Sequence, residues 1–251
     1  MLKILPCLLA ALVAVAVPAL GKPPQPQDQP QVYLLIGQSN MAGRAKMEQA
    51  DTEPIERCFL LNADDAWEPA ANPLNRHSTI RKGLGMQKIG PGASFAQAMA
   101  EKNPEITIGL VVNAKGGTKI GQWKRGTKFY TEAVRRTQAA RKNGTLKGIV
   151  WHQGESDGGA PEGYLDALAQ LIADLREDLG VADLPFVAGQ VKDLPAINDQ
   201  IAKLPDTVEH TAFISSEGLK TTDRWHFDAP SVRLMGERYA EAMIRLQKAK
   251  R

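Results

Sequence analysis

Cysteine is scarce: of 251 residues only Cys7 and Cys58 carry a thiol, and Cys7 sits in an apolar N-terminal stretch. Cys7 precedes that stretch's apolar centre, so it does not read as a lipid-attachment cysteine. Without the stretch Cys58 stands alone, no internal disulfide can form, and a chain of this size must hold together on its apolar core. Followed by Phe59-Leu60-Leu61, Cys58 reads as a small core residue. Charge of one sign is lacking too. The formal balance is +3, with basic pairs such as Arg135-Arg136 and Arg141-Lys142 dispersed along helical stretches, so no nucleic-acid partner is expected. The chain has no aromatic-basic platform, no phosphate-cradling glycine loop and no internal repeat. Nor does any apolar run reach the roughly 20 residues that a membrane span needs. The longest, residues 4–17, breaks at Pro18.

What stands at the N-terminus is a short basic start (Met1-Leu2-Lys3), that apolar run, and the small-residue segment Pro18-Ala19-Leu20-Gly21. This is the layout of a secretory signal peptide over residues 1–21, cleaved after Gly21, so the protein is expected to be exported, periplasmic or extracellular, with no membrane anchor left. Residues 22–31 are Pro/Gln-rich and read as an extended leader. A single domain is expected over residues 32–251.

Within it, strands at 32–36, 106–113, 148–151, 185–189 and 211–215 alternate with helices beginning after Gly90-Pro91-Gly92 and spanning about 127–142, 161–179, 194–203 and 230–248. Tyr164, Leu165, Leu168, Leu171, Ile172 and Leu175 recur at spacings of three and four, as do Val232, Met235, Tyr239, Met243 and Leu246. Asp228 or Ser231 is available to cap the last helix. Strands separated by helices of this length predict an α/β domain with a parallel sheet. Residues 44–92 form the least regular segment, with Phe59-Leu60-Leu61-Asn62 a candidate extra strand.

Four polar segments fall at predicted strand ends: Gly37-Gln38-Ser39-Asn40-Met41, Ala114-Lys115-Gly116-Gly117-Thr118, Trp151-His152-Gln153-Gly154-Glu155-Ser156 and Asp223-Arg224-Trp225-His226. In a parallel sheet the carboxyl ends of the strands share one edge, where open α/β folds build their sites. A serine hydroxyl becomes a useful nucleophile when a histidine takes its proton and a carboxylate fixes that histidine's tautomer. Ser39 and His226 fit the first two roles. Asp223, three residues before His226, and Glu155 are both candidates for the third. Ser39, Gly117 and Gln153 are candidate donors to the oxyanion, the first two by main-chain N–H, the last by its side chain. Trp225, Arg224, Gly116 and Asn40 are further candidates for contact with substrate. His152 reads as a packed, hydrogen-bonded residue.

Gly-Gln-Ser-Asn-Met, Gly-Gly-Thr, His-Gln-Gly-Glu-Ser-Asp and Asp-Arg-Trp-His-Phe, in this order, resemble the sialate O-acetylesterase and carbohydrate esterase family 6 branch of the SGNH (GDSL-like) hydrolases, over about residues 32–239. Gly90-Pro91-Gly92-Ala93-Ser94-Phe95 is similar to the segment before that family's first long helix. The resemblance implies a flavodoxin-like three-layer α/β/α sandwich with a mainly parallel sheet. It also implies serine esterase chemistry without metal or other cofactor, acting on an acetylated carbohydrate of the acetylxylan or sialic-acid type. It keeps both Asp223 and Glu155 open as the third member, and the family often has Asp-Gly-x-His where this chain has Asp223-Arg224-Trp225-His226. Two rival readings remain: a non-catalytic carbohydrate-binding protein on the same fold, and a lipase or thioesterase taking longer acyl chains.

Overall fold

The computed structural model describes residues 29–81, 83 and 85–249; the expected signal peptide and most of the expected leader lie outside them. The chain runs β1 (Gln31–Gly37), α1 (Ser39–Ala42), β2 (Cys58–Leu61), β3 (Trp67–Pro69), α2 (Gly92–Lys102), β4 (Ile108–Ala114), α3 (Lys128–Ala140), β5 (Thr145–His152), α4 (Tyr164–Asp178), β6 (Phe186–Gly189), α5 (Pro195–Ala202), α6 (Leu204–Thr207), β7 (Thr211–Ile214) and α7 (Ala229–Ala249). The first strand thus begins at Gln31, one residue inside the expected leader. There Gln31 N–H donates to Thr107 O and Pro30 O accepts from Thr145 N–H, so the chain is already in the ladder.

The seven strands lie in the order β3-β2-β4-β1-β5-β6-β7, all parallel except the edge strand β3. Leaving aside the β2–β3 hairpin, the five strands β1, β4, β5, β6 and β7 take the 2-1-3-4-5 order of flavodoxin-like sheets. The hairpin comes from the irregular 44–92 segment and extends the sheet beyond β4; its first strand occupies the stretch singled out by Phe59-Leu60-Leu61.

Both faces of β1 are buried, which explains its unbroken apolar run. Tyr33 and Leu35 pack with Phe95 and Met99 of α2 and with Met235, Tyr239 and Met243 of α7. Val32, Leu34 and Ile36 pack with Tyr130 of α3, Leu168 and Leu171 of α4, and Ile197 and Ile201 of α5. Helices on both faces make the three-layer sandwich. The Tyr33 and Phe95 rings meet edge-on at 5.2 Å on one side, and Trp123 and Trp151 at 5.3 Å on the other. Asp228 caps α7, its Oδ1 accepting from Ser231 N–H at 2.9 Å. Among the described residues no helix is long and apolar enough to cross a membrane.

After β1 the chain goes to one side of it (β2, β3, β4) and then crosses to the other (β5, β6, β7). The loops following β4 and β5 therefore diverge over the end of β1, leaving a crevice at this switch of direction.

Candidate active site

Gly37 ends β1 with a φ of +135°, a conformation open to glycine, and a Cβ there would lie 2.1 Å from the His152 carbonyl oxygen. The close approach lets Gln38 N–H donate to His152 O at 2.8 Å, and the chain then turns at once into α1, with Ser39 its first residue. N–H groups in a first helical turn have no acceptor within the helix. Ser39 is 5% exposed, so its hydroxyl is at the surface of the crevice but held in place.

His226 Nε2 lies 3.1 Å from Ser39 Oγ, and His226 Nδ1 lies 2.7 Å from Asp223 Oδ2. Asp223 Oδ1 accepts two main-chain hydrogen bonds, from Trp225 N–H and His226 N–H, both at 2.8 Å. One short loop thus carries carboxylate and imidazole in fixed relation. The bond to the His226 side chain, then that from the Trp225 amide, hold the Asp223 carboxyl down at about 2 from its ordinary 3.8. An ionised carboxylate only accepts, so the Nδ1 facing it carries the proton and Nε2 accepts from the Ser39 hydroxyl.

Glu155, the other candidate for that place, sits elsewhere. Its Oε1 accepts from Asn40 Nδ2 at 2.7 Å and is 3.6 Å from His152 Nε2; among the described residues no hydrogen bond joins Glu155 to His226. Asn40, expected at the substrate, is fully engaged within the protein. Its Nδ2 donates to Glu155 Oε1 and, at 2.9 Å, to Trp225 O, while its Oδ1 accepts from Phe227 N–H at 3.2 Å. Asn40 therefore bolts the serine turn to the histidine loop, and Glu155 holds the bolt.

Gly116 approaches Ser39 so closely that a Cβ would lie 3.2 Å from the serine Cβ, and Gly117 beside it is exposed with a φ of +73°. Both stay at the candidate site. Gln153 does not serve as expected: it is fully buried, and its two amide protons are taken by Thr118 O at 2.8 Å and Asp157 Oδ2 at 2.6 Å. It braces the loops after β4 and β5 against each other and has no proton left for an oxyanion. Asp157, which also accepts from Ile120 N–H at 3.0 Å, completes that brace; it closes the His-Gln-Gly-Glu-Ser-Asp motif, in which no role was expected of it. His152 is packed as expected, its Nδ1 3.0 Å from the Tyr239 hydroxyl, which donates to Trp151 O. Arg224 lies over the Trp225 ring with its guanidinium carbon 4.4 Å from the centroid, so one face of this indole is already covered.

Beside Ser39, on the Gly116 side, opens a cavity of about 570 Å³ lined by Arg44, Thr79, Ile80, Arg81, Lys115, Gly116, Lys128 and Phe129. Its basic residues are spread from position 44 to 128, so nothing in their spacing announced them.

A family model described as carbohydrate esterase, sialic acid-specific acetylesterase, matches residues 29–245. A protein of Arabidopsis thaliana named a probable carbohydrate esterase is 31% identical over 237 residues, 85% of this chain and 90% of that protein. The crystal structure from the same Arabidopsis locus superposes with a TM-score of 0.77 at 29% identity, covering 86% of this chain and 98% of the other. A carbohydrate acetylesterase of Xanthomonas citri shares the fold, with a TM-score of 0.63 at 17% identity over 87% of this chain and 57% of that one.

Proposed function

The chain belongs to the family of carbohydrate esterases described as sialic acid-specific acetylesterases, and is thus a carboxylic ester hydrolase; on that premise we propose that it is an exported serine esterase that removes O-acetyl groups from carbohydrate through Ser39, His226 and Asp223. The observation that carries the mechanism is the continuous array of the Ser39 hydroxyl, both ring nitrogens of His226 and the Asp223 carboxylate, at 3.1 and 2.7 Å.

In this reading Ser39 Oγ attacks the acetyl carbonyl carbon as its proton passes to His226 Nε2. Asp223, ionised and bonded to Nδ1–H, holds the ring in the tautomer that can accept that proton and steadies the imidazolium. The carbonyl oxygen, now negative, is met by the main-chain N–H groups of Ser39 and Gly117. The sugar–oxygen bond to the carbonyl carbon then breaks, and Nε2 returns the proton to the departing sugar oxygen. A water, deprotonated by the same imidazole, hydrolyses the acetyl-Ser39 ester and releases acetate.

The array argues against a purely binding protein, which has no need of a serine aligned with a histidine and carboxylate. The four cationic side chains around the cavity beside Ser39, Arg44, Arg81, Lys115 and Lys128, favour a polar carrier over a long acyl chain. The test is acetate release from acetylated xylan, O-acetylated sialic acid and 4-nitrophenyl acetate. Ser39→Ala should abolish turnover with the melting temperature almost unchanged, since the hydroxyl's bond to His226 is worth only about 1 kcal/mol. Retained turnover would overturn the mechanism. Sequencing the N-terminus of the secreted product tests cleavage after Gly21.

A further inference from the structure

Behind the catalytic array lie two titratable side chains that the mechanism does not use. His152 ends β5 and is fully buried, and Glu155 follows it with its side chain 4% exposed. The Tyr239 hydroxyl lies 3.0 Å from His152 Nδ1 and 2.9 Å from Trp151 O. Burial first, and then the charge of Glu155, keep the Tyr239 phenol protonated. A carbonyl only accepts, so the phenol gives its one proton to Trp151 O and its oxygen accepts from His152 Nδ1–H. Gly189 makes room for this contact, since a Cβ there would lie 1.9 Å from the Tyr239 oxygen and 2.6 Å from Nδ1.

With Nδ1 protonated, a neutral ring would leave Nε2 a bare, buried acceptor 3.6 Å from Glu155 Oε1, with no donor for it among the described residues. A neutral glutamic acid fits no better. Oε1 already accepts from Asn40 Nδ2 at 2.7 Å, short as bonds to charged acceptors are, so an acid proton would sit on Oε2, which has no partner. A proton on Nε2 answers both difficulties. Imidazolium and carboxylate then balance each other in a space where neither could stay charged alone. The surroundings offer no other counter-charge. Tyr239 of α7 and Tyr164 of α4 are phenols held protonated by burial, Asp157 has the sign of Glu155 and is taken up by Gln153 and Ile120, and the histidine loop presents the ring of Phe227, edge-on at 5.9 Å.

Glu155 reaches the reaction through one neighbour. Asn40 grips Trp225 O and Phe227 N–H, the main chain on either side of His226, while its remaining amide proton goes to Glu155 Oε1. Without an acceptor at Oε1 that buried proton is unmet, and the hold on the loop that aims His226 Nε2 at Ser39 loosens.

We propose that His152 and Glu155 form a buried imidazolium–carboxylate pair, and that Glu155 is a positioning residue, acting through Asn40 to hold His226 against Ser39. The positioning role rests on the esterase reading above; the charged pair does not.

Two measurements test the two halves. In protein labelled with ¹⁵N-histidine, both ring nitrogens of His152 should stay protonated from about pH 6 to about pH 8, where an ordinary histidine loses its second proton. In Glu155→Gln one of them should lose its proton, because glutamine brings no charge to balance. Glu155→Met fills a similar volume without an acceptor. Its kcat on 4-nitrophenyl acetate should fall about a hundredfold with KM within about threefold of the parent, whereas Glu155→Gln, which keeps the oxygen, should stay within about tenfold. A merely structural side chain would lower Tm in Glu155→Met and leave kcat per folded molecule as it was. A His152 ring with one proton throughout that pH range overturns the pair. A kcat of Glu155→Met within about tenfold of the parent, a change confined to KM, or no recovery in Glu155→Gln overturns the positioning role. Should Glu155→Met not fold, Glu155→Asp decides in its place: it keeps the charge but withdraws the oxygen from Asn40 by one methylene, and a kcat as high as that of Glu155→Gln overturns the role. Absence of Ser39-dependent hydrolysis in the parent refutes the esterase reading, and the positioning role with it, and leaves the ring spectrum to decide the pair.

Discussion

Asp223→Asn is the most incisive perturbation, because the loop decides which way the new amide must face. Oδ1 of Asp223 accepts from two main-chain N–H groups at 2.8 Å each. An asparagine keeps its carbonyl oxygen there, since the flipped amide would lose both bonds, at about 1 kcal/mol each, and point its own N–H₂ at two donors. The amide nitrogen is then forced to the Oδ2 position, 2.7 Å from His226 Nδ1, where it donates. Nδ1 becomes an acceptor, the ring proton moves to Nε2, and the nitrogen facing Ser39 can no longer take the serine proton. The expected loss is on the order of 10⁴-fold in kcat, about 5.4 kcal/mol of transition-state stabilisation, with KM little changed. Glu155→Gln should cost less than about tenfold, because glutamine keeps an oxygen to accept from Asn40 and the residue makes no bond to His226. Steady-state hydrolysis of 4-nitrophenyl acetate gives both numbers, and ¹⁵N shifts of the His226 ring report the tautomer directly. Asp223→Asn within tenfold of the parent, an unchanged tautomer, or a larger loss in Glu155→Gln would refute this account of the loop.

Asn40→Ala removes three buried hydrogen bonds, to Glu155 Oε1, Trp225 O and Phe227 N–H, and should destabilise by about 3 kcal/mol, or about 6–12 °C in Tm, while lowering kcat through a loosened His226. A calorimetric scan with a Tm within about 2 °C of the parent would show that the bolt carries little. The carboxyl of Asp223, held at about 2, keeps its charge as pH falls past the 3.8 of an unperturbed aspartate, so any stability it lends is fully present above the latter value and lost on descent to the former. Protonation of Asp223 should therefore add nothing to the acid limb of kcat/KM above about pH 3; a limb of slope two there would contradict it. Gly37→Ala should give little folded protein, because its Cβ would lie 2.1 Å from His152 O in a backbone with φ of +135°. Soluble yield and circular dichroism check this, and a normally folded Gly37→Ala would mean that the turn can relax.

Much of this was present in residue order. A run such as Val32-Tyr33-Leu34-Leu35-Ile36, buried on both faces, has no stable alternative to a central parallel strand, and the three-and-four spacing of Leu168, Leu171, Ile172 and Leu175 commits α4 to one apolar face. A spacing of three from Asp223 to His226 suffices for a loop to join carboxylate and ring, so Ser39, His226 and Asp223 were legible as candidates. Local pattern did not decide between Asp223 and Glu155, because both follow short motifs rich in polar groups and the choice depends on where two distant loops meet. Only tertiary packing turned Asn40 inward to Glu155 and Trp225 and occupied both protons of Gln153 with Thr118 and Asp157. The same holds for the cationic cavity. Arg44, Arg81, Lys115 and Lys128 have no common period or motif, and they meet because the 44–92 segment is tied through Asn75 to the end of β4, opposite the start of α3. Sequence determined the five strands of the parallel core, the long helices and the serine turn, whose causes are local; the partners of each polar group were decided by the convergence of loops far apart in the chain, which short-range pattern does not encode.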